Sequence, residues 1–277
     1  AQVAACVEME RTHALLRHLE GASGPSPAEV SATTAPRVGI VTGAASGIGK
    51  GVARQMAHEG HSVVLVDLRE SDLDAVMAEL REEGVAERCM RIACDVTKEE
   101  EVAAMVASTA ARFGRLDWAF NNAGVLGNMR LSKLHEWTAE ELSAVVEVNL
   151  GGVFLCMKHE LRQMLAQRKQ EREAGAAPRD LCIVNTSSVA GLSGKGAGQS
   201  AYAATKWAVA GLTKTAAVEY GRAGIRVNCV APSVVNTPMF AGTPDNVKKL
   251  ICSRIPLKRP ASVEDVTNAV KFLVSPQ

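Results

Sequence analysis

Tyr202 and Lys206 stand four residues apart in "SAYAATKWAV", a stretch that reads as helix. At that spacing two side chains share a helix face and can act on one another. A free phenol ionises near pH ~10 and is a poor proton acceptor at neutral pH. A positive charge beside it favours the phenolate, and Lys206 can supply that charge. Taken alone, the tyrosine could equally pack as an aromatic and the lysine sit as a solvated charge.

A second cluster suggests what such a pair would work with. In "VGIVTGAASGIGKGVARQMAHEG" an apolar run is followed by Gly43, Gly47 and Gly49, and then by Val52, Met56 and Ala57 at helical spacing. Glycines between a strand and a helix allow positive φ and close backbone approach. The free amides of the helix start favour the negative charge of a pyrophosphate. The next strand ends at Asp67, where a carboxylate can accept hydrogen bonds from an adenosine ribose and repel the additional phosphate of NADP. NAD is therefore expected over NADP. Asp67 could instead cap the following helix, and Arg69 two residues on pulls towards NADP.

The elements that must position these groups follow one rhythm. Strand-like runs "VGIVT", "SVVLVD", "CMRIAC", "LDWAFNN", "LCIVNTS" and "IRVNCVAP" alternate with helical stretches. Mostly unalternating apolar strands separated by helices imply a parallel sheet covered on both faces, a doubly wound α/β fold with ligands at the strands' carboxyl ends. The folded domain is expected over residues 36–277. Residues 1–35 read as an appendage, in which Val3, Val7, Leu15 and Leu19 could form one short amphipathic helix before a linker. Residues 168–180, "RKQEREAGAAPRD", read as a solvated helix end and turn.

Composition narrows the class of partner. Lys+Arg (31) and Asp+Glu (30) nearly cancel without long runs of either sign, so neither a nucleic-acid surface nor a membrane-binding patch is expected. No apolar stretch reaches the ~20 residues of a membrane span. Seven cysteines without a Cys-x-x-Cys, several in apolar segments, read as reduced thiols of a cytoplasmic protein. His58 and His61 are three apart rather than the four of a helical zinc pair, and no metal site is expected. A small-molecule partner fits best.

Thr42-Gly43-x-x-x-Gly47-x-Gly49, "NNAG" (121–124), Asn149, "NTSS" (185–188) and Tyr202-x-x-x-Lys206 occur in this order, and with them residues 36–274 resemble the short-chain dehydrogenase/reductase family. The resemblance implies one Rossmann-like domain that binds a nicotinamide dinucleotide and interconverts an alcohol and a carbonyl by hydride transfer. It implies a phosphate loop of Gly43, Ser46, Gly47, Ile48 and Gly49, with Asp67 and Leu68 at the adenosine ribose and Asp95 and Val96 beside the adenine. Asn122, Ala123 and Gly124 would support the cofactor, and Val235 and Thr237 would meet the nicotinamide carboxamide. Tyr202 would be the general acid/base, Lys206 would tune it and grip the nicotinamide ribose, Ser188 would donate to the substrate oxygen, and Asn149 would serve a proton relay. Ser187 competes with Ser188, because adjacent loop serines point differently.

The chain also departs from the family pattern. Ser233 stands where glycine is usual after the proline. The sequence stops at "FLVSPQ", where family members continue into a last strand, so a missing sheet edge and an exposed neighbouring strand are expected. Homodimers or homotetramers built on the helices after Asn149 and around Tyr202 are the family's habit. Segments 125–137, 189–199 and 238–260 would choose the alcohol or ketone, with Trp137, Met239 and Phe240 hinting at an apolar pocket. Two other functions remain open: an NADP-dependent carbonyl reductase, and a dinucleotide-binding regulator or scaffold that has lost turnover.

Overall fold

The computed structural model describes residues 36–127, 133–194, 199–243 and 245–276, and residues 3–6 as backbone. Strand β1 (Val3–Cys6) is followed by β2 (Val38–Thr42), α1 (Gly47–His58), β3 (Ser62–Asp67), α2 (Glu70–Glu82), β4 (Cys89–Ala93), α3 (Glu99–Phe113) and β5 (Trp118–Asn121). A helix α4 (Ala139–Val146) runs through a π turn (Glu147–Gly152) into the long α5 (Val153–Glu173). Then come β6 (Leu181–Thr186), α6 (Ser200–Tyr220), β7 (Ile225–Pro232), the short α7 (Pro238–Ala241), α8 (Asp245–Arg254) and α9 (Val263–Val274).

Six strands form the parallel sheet of a Rossmann-like fold, in the order β4-β3-β2-β5-β6-β7. Successive side chains of a strand point to opposite faces, and here both faces are buried. Val41, Leu65, Phe120 and Val184 pack with Met56 of α1, Leu73 of α2 and Val270 of α9. Their neighbours Ile40, Val64, Ala119 and Ile183 pack on the opposite side with Met105 of α3, Met164 of α5 and Val209 of α6. The chain reverses direction across the sheet between β2 and β5, and a crevice opens there at the strands' carboxyl ends.

Several expectations need correction. "LDWAFNN" shortens to a four-residue strand because the Asn122 amide leaves the ladder to bond the Thr42 hydroxyl at 3.0 Å. Val3 lies on a strand rather than a helix, whereas Val7, Leu15 and Leu19 fall outside the described residues. That strand pairs antiparallel with β7, Val3 opposite Pro232 through Cys6 opposite Cys229, so the edge expected to be bare is paired. A ladder asks only for free backbone donors and acceptors, and a proline-free tetrapeptide provides them.

Segment 168–180 is not wholly solvated. Arg168 is buried, and its guanidinium donates to the carbonyls of Ala223 and Gly224, each at 2.9 Å, to that of Arg179, and to Glu171. A buried guanidinium needs such acceptors, and the turn before β7 offers carbonyls left over at the end of α6.

Candidate active site

The crevice is a cavity of about 360 Å³ whose lining includes Gly43, Ser46, Gly47 and Ile48 of the glycine loop. Gly47 has φ +53°, a conformation that penalises any side chain, and a Cβ there would also approach Thr237 to 3.2 Å. A Cβ on Gly49 would sit 2.1 Å from the Gly43 carbonyl, so the helix could not begin so close to the strand with any other residue. Gly49 thus shapes the loop without lining the cavity. Ser46 precedes α1 and makes no side-chain cap, which leaves the helix start with amides for an anion. This cradle fits the phosphates of a dinucleotide.

Asp67 and Leu68 line the same cavity, as do Asp95 and Val96. The Asp67 carboxylate accepts from the backbone N–H of Ala45 at 3.0 Å and of Leu68 at 2.8 Å. It does not cap α2, whose N-cap position is Arg69. Arg69 is engaged by Asp72, its Nε donating at 2.7 Å. Asp95 is held by the Thr97 amide (2.9 Å) and hydroxyl (2.7 Å), which lower its carboxyl below the ordinary value.

Asn122, Ala123 and Gly124 form the crevice wall after β5. Thr42, absent from the predicted site, fixes them: its buried hydroxyl accepts from the amides of Asn122 (3.0 Å) and Ala123 (3.1 Å). The Asn122 side chain returns a bond to the Thr42 carbonyl at 3.2 Å. A hydroxyl residue ending a strand immediately before a glycine loop was the available signal for this role.

The remaining groups converge beside this wall. Lys206 is buried, donates from Nζ to the Thr186 carbonyl at 2.8 Å, and lies 5.6 Å from the centre of the Tyr202 ring. Burial lowers its ammonium to about 8. Burial also raises the Tyr202 phenol, against a smaller opposite pull from Ser188. In the chain alone desolvation outweighs what its own groups return, whereas the lowering expected of Lys206 was with an oxidised nicotinamide beside it.

The two serines separate cleanly. Ser187 is buried and spends its hydroxyl on the Lys206 carbonyl at 2.8 Å, whereas Ser188 accepts from the Ala190 amide at 3.1 Å, points its hydroxyl at the Pro232 carbonyl 3.5 Å away, and is the serine that acts on the Tyr202 phenol. Asn149 sits in the π turn, fully buried. Its carbonyl oxygen accepts from the Val125 amide at 2.8 Å and its amide donates to the Val125 carbonyl at 2.9 Å. A Cβ on Gly124 would lie 3.0 Å from Asn149 Oδ1 and 3.5 Å from Lys206 Nζ, so the crevice wall adjoins both.

Thr237 lines the cavity, but Val235 does not: it is buried in the core and bridged to Ala261, leaving only its backbone to meet a ligand. Met239 and Val125 add apolar lining. Trp137 packs near Gly127, and Phe240 lies beneath Lys248 Nζ at 5.8 Å from its ring centre, so neither lines the cavity. Residues 128–132, 195–198 and 244 of the expected substrate segments lie outside the described residues. His58 bonds Glu83 at 2.7 Å, and His61 accepts from the Arg37 amide at 3.2 Å.

A family model described as enoyl-(acyl carrier protein) reductase matches residues 43–277. The cis-4-hydroxycyclohexanecarboxylate dehydrogenase of Sinomonas cyclohexanicum is 43% identical over 241 residues, covering 87% of this chain and 90% of its own. The chain belongs to the short-chain dehydrogenase/reductase family. It is accordingly an NAD(P)-dependent oxidoreductase acting on CH–OH groups. The levodione reductase of Leifsonia aquatica is 38% identical over 260 residues, covering 89% of this chain and 92% of its own. A crystal structure of levodione reductase superposes with a TM-score of 0.78 at 37% identity, over 86% and 90% of the two chains.

Two further structures of this short-chain family bear on the cofactor. The 3-ketoacyl-(acyl-carrier-protein) reductase of Brucella melitensis, complexed with NADH, has a TM-score of 0.77 at 29% identity, covering 87% and 91%. A variant of the actinorhodin polyketide ketoreductase with NADPH has a TM-score of 0.76 at 33% identity, with the same shares covered. Among the described residues, no helix is long and apolar enough to cross a membrane.

Proposed function

We propose that this protein is an NAD(H)-dependent dehydrogenase/reductase that interconverts a secondary alcohol and its ketone, with Tyr202 as general acid/base. The observation that carries this reading is the Lys206 ammonium 5.6 Å from the Tyr202 ring, beside a crevice wall where a Cβ on Gly124 would lie 3.5 Å from Lys206 Nζ. When bound, the dinucleotide gives or takes the hydride. Gly43, Ser46, Gly47, Ile48 and Gly49 hold its phosphates. Asp67 and Leu68 hold the adenosine ribose, Asp95 and Val96 flank the adenine, and Asn122, Ala123 and Gly124 form the supporting wall. Thr237 and the Val235 backbone meet the carboxamide.

Ser188 donates to the substrate oxygen and stabilises the charge that develops there. Tyr202 takes the hydroxyl proton during oxidation and returns it during reduction. Burial disfavours the phenolate, so the positive charge of Lys206 and of the oxidised nicotinamide must offset desolvation. Lys206 also grips the nicotinamide ribose, and Asn149 continues the proton path away from Lys206.

NAD is favoured by the Asp67 carboxylate at the crevice and by the pairing of Arg69 with Asp72. An NADP-dependent reductase is the second reading, supported by the NADPH carried by one structural relative. Relatives named for a hydroxycyclohexanecarboxylate and for levodione, with Val125 and Met239 at the crevice, support a cyclic alcohol or ketone as substrate. Exposed Phe154 on α5 and Trp207 on α6 support a homo-oligomer. Free thiols in buried positions, such as those of Cys94 and Cys156, suit a reducing, cytoplasmic setting.

The reading is tested with cis-4-hydroxycyclohexanecarboxylate, levodione and a panel of cyclic alcohols and ketones, followed at the nicotinamide absorbance band. Turnover of a ring alcohol or ketone with NAD(H) is expected. Silence across the panel with both NAD(H) and NADP(H) would refute the substrate class.

A further inference from the structure

We propose that Thr205 is a positioning residue for Tyr202, holding the first turns of α6 in register with Asn149. The proposal rests on the acid/base role given to Tyr202. Thr205 is 2% exposed, and its hydroxyl has two partners on different elements. It accepts from the Asn149 side-chain amide at 3.2 Å and donates to the backbone carbonyl of Tyr202 at 2.8 Å. Asn149 is itself fixed to both backbone groups of Val125 at the crevice. One chain of hydrogen bonds thus runs from the crevice wall, through the π turn, into the peptide that carries Tyr202.

The start of α6 needs such a tether. Tyr202 is the third residue of the helix, where the backbone N–H groups have no partner one turn below. Gln199 at the N-cap makes no side-chain cap to replace them. One turn later the helix is pinned from another side, as the Lys206 carbonyl accepts from Ser187 and its ammonium donates to the Thr186 carbonyl. A Cβ on Gly191 would lie 2.6 Å from the Lys206 carbonyl, so the loop after β6 also closes directly on the helix. Lys206 is therefore held by the end of β6, and Tyr202 by Thr205 and Asn149. Their relative placement depends on both anchors.

A threonine within a helix often bonds a carbonyl of the preceding turn merely to satisfy its hydroxyl. The bond received from Asn149 is what distinguishes this one, because losing it leaves a buried amide hydrogen without its acceptor and frees the turn from the crevice wall. Catalytic geometry is sensitive on that scale: a displacement of ~1 Å can cost about a hundredfold in rate.

The protein has two tyrosines, Tyr202 and Tyr220, so in a Tyr220→Phe background the tyrosinate absorbance reports Tyr202 alone and needs no substrate. Burial is the larger influence on that phenol, so loosening its turn lets water in and moves the titration midpoint down. In this background Thr205→Val should lower the midpoint by about half a pH unit or more, while Thr205→Ser restores it. Equal midpoints with and without the Thr205→Val substitution, in proteins of intact fold, overturn the proposal. Thr205→Ala repeats the comparison without added bulk should the valine variant not fold.

With cis-4-hydroxycyclohexanecarboxylate and NAD, Thr205→Val should lower kcat about tenfold or more with KM within about twofold, and Thr205→Ser should stay near the parent. Undiminished kcat in a protein that Tyr202→Phe inactivates also overturns the proposal. Turnover that survives Tyr202→Phe sinks the acid/base reading instead, leaving the midpoint comparison to decide whether Thr205 positions the ring.

Discussion

At the scale of single residues, the proposed chemistry turns on how little freedom Tyr202 and Asp67 have. Lys206 Nζ lies 5.6 Å from the Tyr202 ring centre, and the Thr205 hydroxyl donates to the Tyr202 carbonyl at 2.8 Å. Tyr202→Phe removes only an oxygen and leaves the crevice intact, so turnover should fall by about a thousandfold or more while NADH affinity changes less than about threefold. Steady-state assay beside a fluorescence titration of NADH checks both, and unchanged turnover would reject the assignment. Asp67 is held at the crevice by two backbone amides. A carboxylate there repels an additional phosphate, so NADH should raise the melting temperature more than NADPH at equal concentration, and Asp67→Ser should narrow the gap. Equal protection of the parent protein by the two cofactors would defeat the preference for NAD.

At the scale of elements, a buried polar cluster joins β5, β6, α5 and α6 beneath the site. Asn121 donates to Glu160 at 2.9 Å and to Asn185 at 3.1 Å, and Asn185 donates to Thr213 at 2.9 Å. Glu160 is fully buried, and both its Oε1 and Asn121 Oδ1 lack a donor among the described residues. A neutral carboxylic acid brings a donor into this group of acceptors, and burial pushes Glu160 up to about 7. With the folded value above the unfolded one, the folded state holds the extra proton between about pH 4.5 and 7. Its stability therefore falls as pH rises through that window, by about 3 kcal/mol in all, and levels off above it. Glu160→Gln keeps the amide-sized shape without the charge, so its melting temperature relative to the parent should be higher at pH 8 than at pH 5, by an amount on the order of 5 °C. A difference that does not change with pH would mean that Glu160 is already ionised in the fold. None of this was legible beforehand, because Glu160 lies in a helix rich in charge, and only packing reveals that it faces the sheet rather than water. The six parallel strands were legible, since each is an apolar run bounded by turns, and the glycine loop declared itself by its place after the first of them. Val235 was not, because spacing can put a residue near a ligand but cannot say whether its side chain turns into the core.

At the scale of the whole molecule, the two longest helices carry an apolar surface that the folded chain does not use. Residues of α5 and α6 share one core with the same face of the sheet, while Phe154 and Trp207 on their outer sides are 51% and 52% exposed, and Val218 on α6 is 76% exposed. Single exposed apolar residues are ordinary, but aromatic residues exposed on two helices over one sheet face are what an interface core needs. A second copy of the chain, related by a twofold axis, would present the same residues in return and bury them mutually. The site lends weight to this, because α6 also carries Tyr202 and Lys206, so packing against its outer face would stiffen the helix that the chemistry depends on. Trp207→Glu places a charge on that surface, and a charge buried without a partner opposes association strongly. Light scattering should give a multiple of the 29.2 kDa chain mass for the parent protein and the single mass, or a clear shift towards it, for the variant. A parent protein that is monomeric at micromolar concentration, or a variant that assembles as the parent does, would remove these helices from the interface.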